Sequence, residues 1–313
     1  MKPNKRYLQS IVFVLLSLFF YAAAAQTTQP ANASTTAPIL PSSTHPYTEV
    51  SPVEERVKKE DNIVPNSFAI AFYKPTYVLP YYYTGSPYYS VYANNTPQNE
   101  RLKNSEIKYQ LSFKVPVWKN ILHYPTTLFL AYTQLSYWQA YNKTAFFRET
   151  DYEPELFLAN EINLHLFGDW HTNLLNIGAV HQSNGYGGTM ERTWNRIYLE
   201  LIASNDNWMV SVKPWFVIND STLRRYNPDI VSYLGHGQIL VAYKYYRQVF
   251  SVQARSFLEH GGERTTGEFT WSFPITPYLN GYLQVFSGYG QSLIEYDHRT
   301  NSVGVGIALS NWV

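Results

Sequence analysis

NSVGVGIALSNWV, residues 301–313, decides how the rest of the chain is read. Every second residue is apolar, running Val303, Val305, Ile307 and Leu309, while Gly304, Gly306, Ala308 and Ser310 fall between them. Side chains of a strand point alternately to opposite faces. This stretch is therefore a strand with one oily face and one of small or polar groups. GEFTWSFPI (267–275) repeats the pattern, with Phe269, Trp271, Phe273 and Ile275 set against Glu268, Thr270 and Ser272. About twelve such segments occur, starting near residues 66, 106, 126, 153, 171, 193, 207, 231, 247, 265, 277 and 301, with turn residues between them.

The composition says which way the oily faces look. The chain carries 28 Tyr, 17 Phe and 8 Trp, a heavy aromatic load for a water-soluble fold. Tyr and Trp collect where an apolar body meets a wet rim, as in the girdles of membrane barrels. An even number of alternating strands fits an all-β transmembrane antiparallel barrel of about twelve strands, whose closure leaves no unpaired edge in lipid. The alternative is a soluble secreted sandwich or lipocalin-like barrel with its apolar faces inside. Lys and Arg number 24 against 23 Asp and Glu, so no basic excess points to nucleic acid. There are no cysteines, which excludes disulfides and thiolate metal sites.

Export is written at the N-terminus. Lys2, Lys5 and Arg6 precede the apolar run IVFVLLSLFF, and Ala23 and Ala25 offer a small-residue cleavage site. Residues 1–25 read as a signal peptide, too short to span a bilayer. Residues 26–65, rich in Thr, Pro, Ser and Ala with a charged end, read as a low-complexity linker. The barrel is expected over 66–313.

Strand parity then isolates one odd feature. In the run that ends HQSNGYGG, His181 and Ser183 share a face with Leu175, Ile177 and Ala179. After the turn, Asn195 shares a face with Ile197, Leu199 and Leu201. In a membrane barrel all three would lie on the lipid-facing wall, on neighbouring strands. A serine hydroxyl needs a base and the base needs an orienter. A neutral amide in the third place avoids an unpaired carboxylate beside hydrocarbon. Isolated His-x-Ser pairs are common and usually carry no chemistry, so parity alone leaves the reading open.

HQSNG (181–185) followed by RTWNR (192–196) resembles the active-site signature of the outer membrane phospholipase A family. FRETDYEPELFL (147–158), VKPWFVI (212–218), NPDI (227–230) and FSGYGQSLIEY (286–296) are similar to that family as well, so the resemblance covers nearly the whole chain from about residue 66. It implies a twelve-stranded barrel in the outer membrane of a Gram-negative bacterium, calcium-dependent acyl hydrolysis of membrane phospholipid, and a homodimer on activation. His181 then matches the base, Ser183 the nucleophile and Asn195 the third member. The backbone N–H groups of Ser183 and Gly185 match the oxyanion-stabilising positions. For calcium the resemblance points to the Tyr186 carbonyl, Glu191 and Asp220, with Thr144 near the position contributed by a partner subunit. Gly188 stands where an acidic ligand can occur. Gln134 resembles a polar interface glutamine. The chain departs from the common barrel ending by closing on Trp312-Val313, with the aromatic residue penultimate. The rival readings are a barrel that has lost its chemistry, as a pore or adhesin, and a secreted soluble esterase.

Overall fold

The computed structural model describes residues 51–63, 69–121, 124–256 and 259–313. The expected signal peptide and the linker up to residue 50 lie outside them. Twelve antiparallel strands form the wall: β1 (Tyr77–Thr84), β2 (Ser105–Trp118), β3 (Thr126–Trp138), β4 (Phe147–Glu161), β5 (Trp170–Ser183), β6 (Thr193–Ser204), β7 (Trp208–Val217), β8 (Gly237–Tyr245), β9 (Gln248–Arg255), β10 (Thr266–Pro274), β11 (Asn280–Tyr289) and β12 (Arg299–Ala308). Each pairs with the next in chain order, and β12 returns to pair with β1 from Ser302 opposite Thr84 to Ala308 opposite Tyr77. The sheet is a closed barrel, as the alternation required.

The faces are inside out relative to a soluble fold. Exposed apolar side chains run along the outer wall, including Leu111, Leu130, Leu156, Ile177, Ile197, Phe216, Val252 and Val285. On β12, Val303, Val305 and Ile307 point outward, while Ser302 and Gly304 are buried. The lumen is polar and packed. Arg148 grips Glu106 through two bonds of 2.7 and 2.8 Å and reaches Glu295 at 3.0 Å. Lys213 meets Glu155 at 3.1 Å. Lys108 donates to Gln284 at 2.7 Å and lies over the rings of Tyr82 and Tyr137. Buried charges are costly unless paired and hydrogen-bonded; Arg148 and Lys213 find carboxylates across the lumen, while Glu149 Oε2 and Asp151 Oδ1 are buried without a hydrogen-bond partner among the described residues.

Three starts differ from the sequence reading, and one of them is β4, which begins at Phe147 rather than near 153. The first barrel strand begins at Tyr77, after a two-residue pairing at Ala71–Phe72. Residue 231 opens no strand, because Ile230–Leu234 is a short helix and β8 starts at Gly237. Ile230 and Leu234 are apolar but pack against Trp194, Trp215 and Leu293, so burial under a loop mimicked strand character. The charged end of the segment read as a linker is likewise ordered. Pro52–Ile63 forms helix α1, which buries Val53 against Met209, Leu240, Ala242 and Val249. Glu55 pairs with Lys244, and Arg56 donates to the Trp312 carbonyl at 2.8 Å. Composition alone could not supply these partners.

The end that carries the β5–β6 turn has the long connections, 85–104, 139–146, 218–236 and 290–298, while the opposite end has short turns at 205–207 and 246–247. Outer-membrane barrels place their long loops outside the cell. The 290–298 loop folds inward: Leu293 N–H donates to Asp151 at 3.0 Å and Ile294 N–H to Glu149 at 3.1 Å. It stops the mouth of the barrel, which argues against an open pore.

Spin labels at Val305 and Ser302 should therefore report opposite surroundings, oxygen-rich lipid at Val305 and a packed polar interior at Ser302. Equal water exposure at both would reverse the parity and favour a soluble fold. A Cβ added at Gly306 would overlap the Val78 carbonyl oxygen, a backbone atom that cannot swing away. Gly306→Ala should thus cost about 1–3 kcal/mol by overpacking, read as a lower denaturant midpoint for unfolding in lipid vesicles.

Candidate active site

Register assembles the site. His181 on β5 sits directly opposite Asn195 on β6, and Ser183 opposite Thr193. On its other side Ser183 faces Tyr152 of β4, which in turn faces Gln134 of β3. Direct partners in an antiparallel pair project from the same face. Gln134, Tyr152 and Ser183 thus form a lateral row on the outer wall, with His181 and Asn195 beside it. Gln134 does not face the lumen. It is tied to wall neighbours, accepting from Tyr132 Oη at 3.1 Å and donating to Ser136 at 3.1 Å.

His181 is exposed, and its Nδ1 lies 2.8 Å from Asn195 Oδ1. Asn195 donates from Nδ2 to Asp220 Oδ2 at 3.0 Å. Ser183 is two residues beyond His181 on the same face. No hydrogen bond joins the two among the described residues, and bonds of this kind commonly tighten only around substrate.

The turn after Ser183 is held by Asn184. Its side chain donates to the Met190 carbonyl at 2.9 Å and Glu149 at 3.2 Å, and accepts from Arg192 N–H at 2.9 Å. Gly185 has φ +69°, and a Cβ there would stand 2.9 Å from the Tyr152 ring. Both conformation and space demand glycine. Its N–H makes no hydrogen bond among the described residues, so it is free to donate to a bound oxyanion. Tyr186 donates from Oη to the Arg148 carbonyl at 3.1 Å, and burial pushes its phenol up to about 12, so it keeps that proton.

The residues that the family resemblance implies for calcium are not all brought together. Tyr186 and Glu191 share the turn, and the Glu191 carboxylate has no partner among the described residues. Thr144 lies in the β3–β4 loop, where its N–H donates to Glu100 at 2.9 Å. Asp220 is engaged elsewhere: Oδ2 accepts from Asn195, and Oδ1 accepts from Leu223 N–H at 2.8 Å, capping the helix Ser221–Tyr226. Among the described residues no group of three or more His, Asp or Glu is placed to hold a metal. Calcium takes six to eight oxygens. One chain supplies hard oxygens of the right kind, but only part of a shell.

Two residues make contacts that the sequence does not announce. The Asn184 side chain makes four hydrogen bonds, the fourth accepted from Tyr186 N–H at 3.4 Å, and no local sequence pattern announces them. Asp220 was read as a ligand. Asp-Ser-Thr-Leu is a legible helix cap, but nothing local ties it to an amide on another strand.

The comparisons agree with this geometry. A family model described as Phospholipase A1 matches residues 53–309. A phospholipase A1 of Proteus vulgaris is 38% identical over 250 residues, covering 79% of this chain and 83% of that relative. One of Escherichia coli K12 is 39% identical over 216 residues, covering 68% and 72%. Among solved structures, the outer membrane phospholipase A of Escherichia coli superposes with TM-score 0.71 at 35% identity, over 79% of this chain and 93% of that one. The Salmonella typhi outer membrane phospholipase, a dimer with bound calcium, gives 0.74 at 35%, over 80% and 96%. With a closed barrel, an outward-facing Ser, His and Asn, and a family match over nearly the whole barrel, this chain belongs to the phospholipase A1 family of outer-membrane β-barrels.

Proposed function

We propose that this protein hydrolyses acyl esters of membrane phospholipid at Ser183, with His181 as general base and Asn195 as its orienter. The observation that carries the reading is the 2.8 Å contact between His181 Nδ1 and Asn195 Oδ1 on a wall otherwise made for lipid. Polar groups on such a surface are costly, and this set is arranged for one task. With Nδ1–H donated to Asn195, Nε2 is left to take the proton from Ser183 Oγ. The oxygen then attacks the ester carbonyl. The developing oxyanion is met by the Gly185 and Ser183 N–H groups, worth about 3 kcal/mol each for a well-placed donor. His181 returns its proton to the departing lyso-lipid alcohol. Water then cleaves the acyl-enzyme by the same route. The substrate need not leave the bilayer, because the nucleophile stands on the wall that the bilayer touches.

Calcium and a second copy of the chain complete the site. The Tyr186 carbonyl and Glu191 would hold the ion, joined by Thr144 of the partner subunit, and bound calcium would supply positive field beside the oxyanion. Asp220, with both oxygens engaged, is left out of this set. The row Gln134–Tyr152–Ser183 supports the dimer. A polar glutamine in lipid favours a hydrogen-bonding partner, and a single strand, β4, separates it from the nucleophile, so a neighbouring barrel seated on β3 and β4 would wall an acyl groove. The Salmonella typhi relative, titled as a dimer with bound calcium, is consistent with this arrangement.

Ser183→Ala and His181→Ala should each lower phospholipid hydrolysis by about 10³-fold or more, while all variants still refold. Asn195→Ala should lose roughly 10²-fold, or about 2.7 kcal/mol of barrier, since it makes no bond to substrate. A sulfonyl fluoride adduct on Ser183 in wild type supports the assignment, and full activity in Ser183→Ala ends it.

Shared ligands also require linkage. If calcium binds well only in the dimer, it must tighten the dimer by the same free energy. Hydrolysis should rise with the protein-to-detergent ratio, calcium should move that curve to lower protein, and chelation should abolish it. Glu191→Ala should raise the calcium requirement and weaken the dimer together. Calcium-saturated activity unchanged on dilution into detergent would establish a competent monomer.

A further inference from the structure

We propose that Asp220 is a positioning residue that fixes the Asn195 amide and passes negative charge through it to His181. The inference rests on the catalytic reading of His181 and Asn195. It adds a fourth member, 25 residues further along the chain.

An amide in the third place of a triad has an inherent ambiguity. Its two ends are similar in size, and only the oxygen can accept from a ring N–H. If the amide turned over, Nδ2 would face His181 Nδ1, and the imidazole would be held in the wrong tautomer or not at all. On an open wall beside lipid, water cannot be relied on to choose. Asp220 makes the choice. An ionised carboxylate only accepts, so the amide end that faces it must be Nδ2, and Oδ1 is thereby turned to His181. The bonds of 3.0 Å from Asn195 Nδ2 to Asp220 and 2.8 Å from His181 Nδ1 to Asn195 form one continuous chain.

The chain also carries charge. A bond to an ionised acceptor is stronger than a neutral one, and successive bonds polarise one another. Drawing Nδ2–H toward Asp220 raises electron density on Oδ1, where the imidazolium forms during reaction. The carboxylate itself stays in the loop, away from hydrocarbon. The arrangement gives a neutral wall residue part of the effect of an acid.

The position of Asp220 is set in advance by the loop that bears it. Ile218 N–H donates to the Asn195 carbonyl at 2.8 Å, so the loop leaves β7 alongside Asn195. Thr193 N–H donates to the fully buried Asn227 at 3.0 Å, pinning the far end of the same loop segment to β6. Trp215 Nε1 reaches the Gly235 carbonyl at 2.9 Å. The nearest basic side chain, Arg224, spends its Nη1 on Asn219 rather than on Asp220. The Leu223 N–H, with the Asn195 amide adding to it, holds the Asp220 carboxyl below the ordinary carboxylate range, so it is ionised at neutral pH.

Asp220 also caps a helix, and the test must separate the two jobs. Asp220→Ser keeps a good cap but leaves no oxygen to reach Asn195. Asp220→Asn keeps the cap and one acceptor but not the charge. In detergent with saturating calcium, Asp220→Ser should lower kcat about tenfold with KM unchanged, the scale of a lost charge-assisted bond, and Asp220→Asn should fall between it and wild type. In an Asn195→Ala background the same Ser substitution should change kcat by less than about twofold, because the group it acts through is gone. An undiminished tenfold loss in that background would assign Asp220 to loop structure. Wild-type kcat in Asp220→Ser would remove it from the reaction, and a loss repaired by higher calcium would make it a metal ligand. Ser183→Ala, assayed alongside, keeps the readings apart: activity there overturns the triad itself, whereas an inactive Ser183→Ala beside an unaffected Asp220→Ser overturns only the fourth member.

Discussion

The pairing of β12 with β1 is the contact on which everything else depends. Hydrocarbon offers no partner for a backbone N–H or C=O, so a sheet in a membrane must close on itself. Once Ser302–Ala308 lies against Tyr77–Thr84, each strand has one face in lipid and one in the lumen. The chemistry of both faces follows. Outward positions are apolar, and inward positions must satisfy one another. Arg148 does so with Glu106 and Glu295, and Lys213 with Glu155. The lumen is thus crossed by ion pairs rather than left as an open channel. Helix α1, through Val53, Glu55 and Arg56, and the 290–298 loop, through Leu293 and Ile294, add contacts at its two ends.

Closure also explains where the reaction can be placed. A lumen filled by side chains cannot admit a two-tailed lipid, but the outer wall meets lipid along its whole height. His181, Ser183 and Asn195 occupy that wall at the end where the long loops begin. There a loop can bring charge to the site without burying it in hydrocarbon. Asn195 stands at the boundary. Its amide is neutral toward the lipid side, while its other end bonds to Asp220 in the loop.

The turn between β5 and β6 joins this wall to the interior. Asn184, the residue after Ser183, points inward and bonds to Glu149, which also accepts from the inward-folded 290–298 loop. The turn that bears Gly185 and Tyr186 is therefore tied to the inside of the barrel, although it follows directly on a residue of the outer wall.

Period-two alternation gave about twelve strands and sorted their residues into two faces, because parity needs only local sequence, and the aromatic load pointed the apolar faces outward. It placed His181, Ser183 and Asn195 on one wall for the same reason. Residues 52–63 and 231 were misread, since their order comes from partners far along the chain, Met209, Leu240 and Trp215 among them. The family resemblance, not periodicity, pointed to calcium and to Asp220 as a ligand. Only the tertiary structure shows which groups Asp220 bonds to. Both of its oxygens are engaged, one by a strand amide 25 residues away and one by its own helix, and a long-range hydrogen bond leaves no periodic trace in sequence.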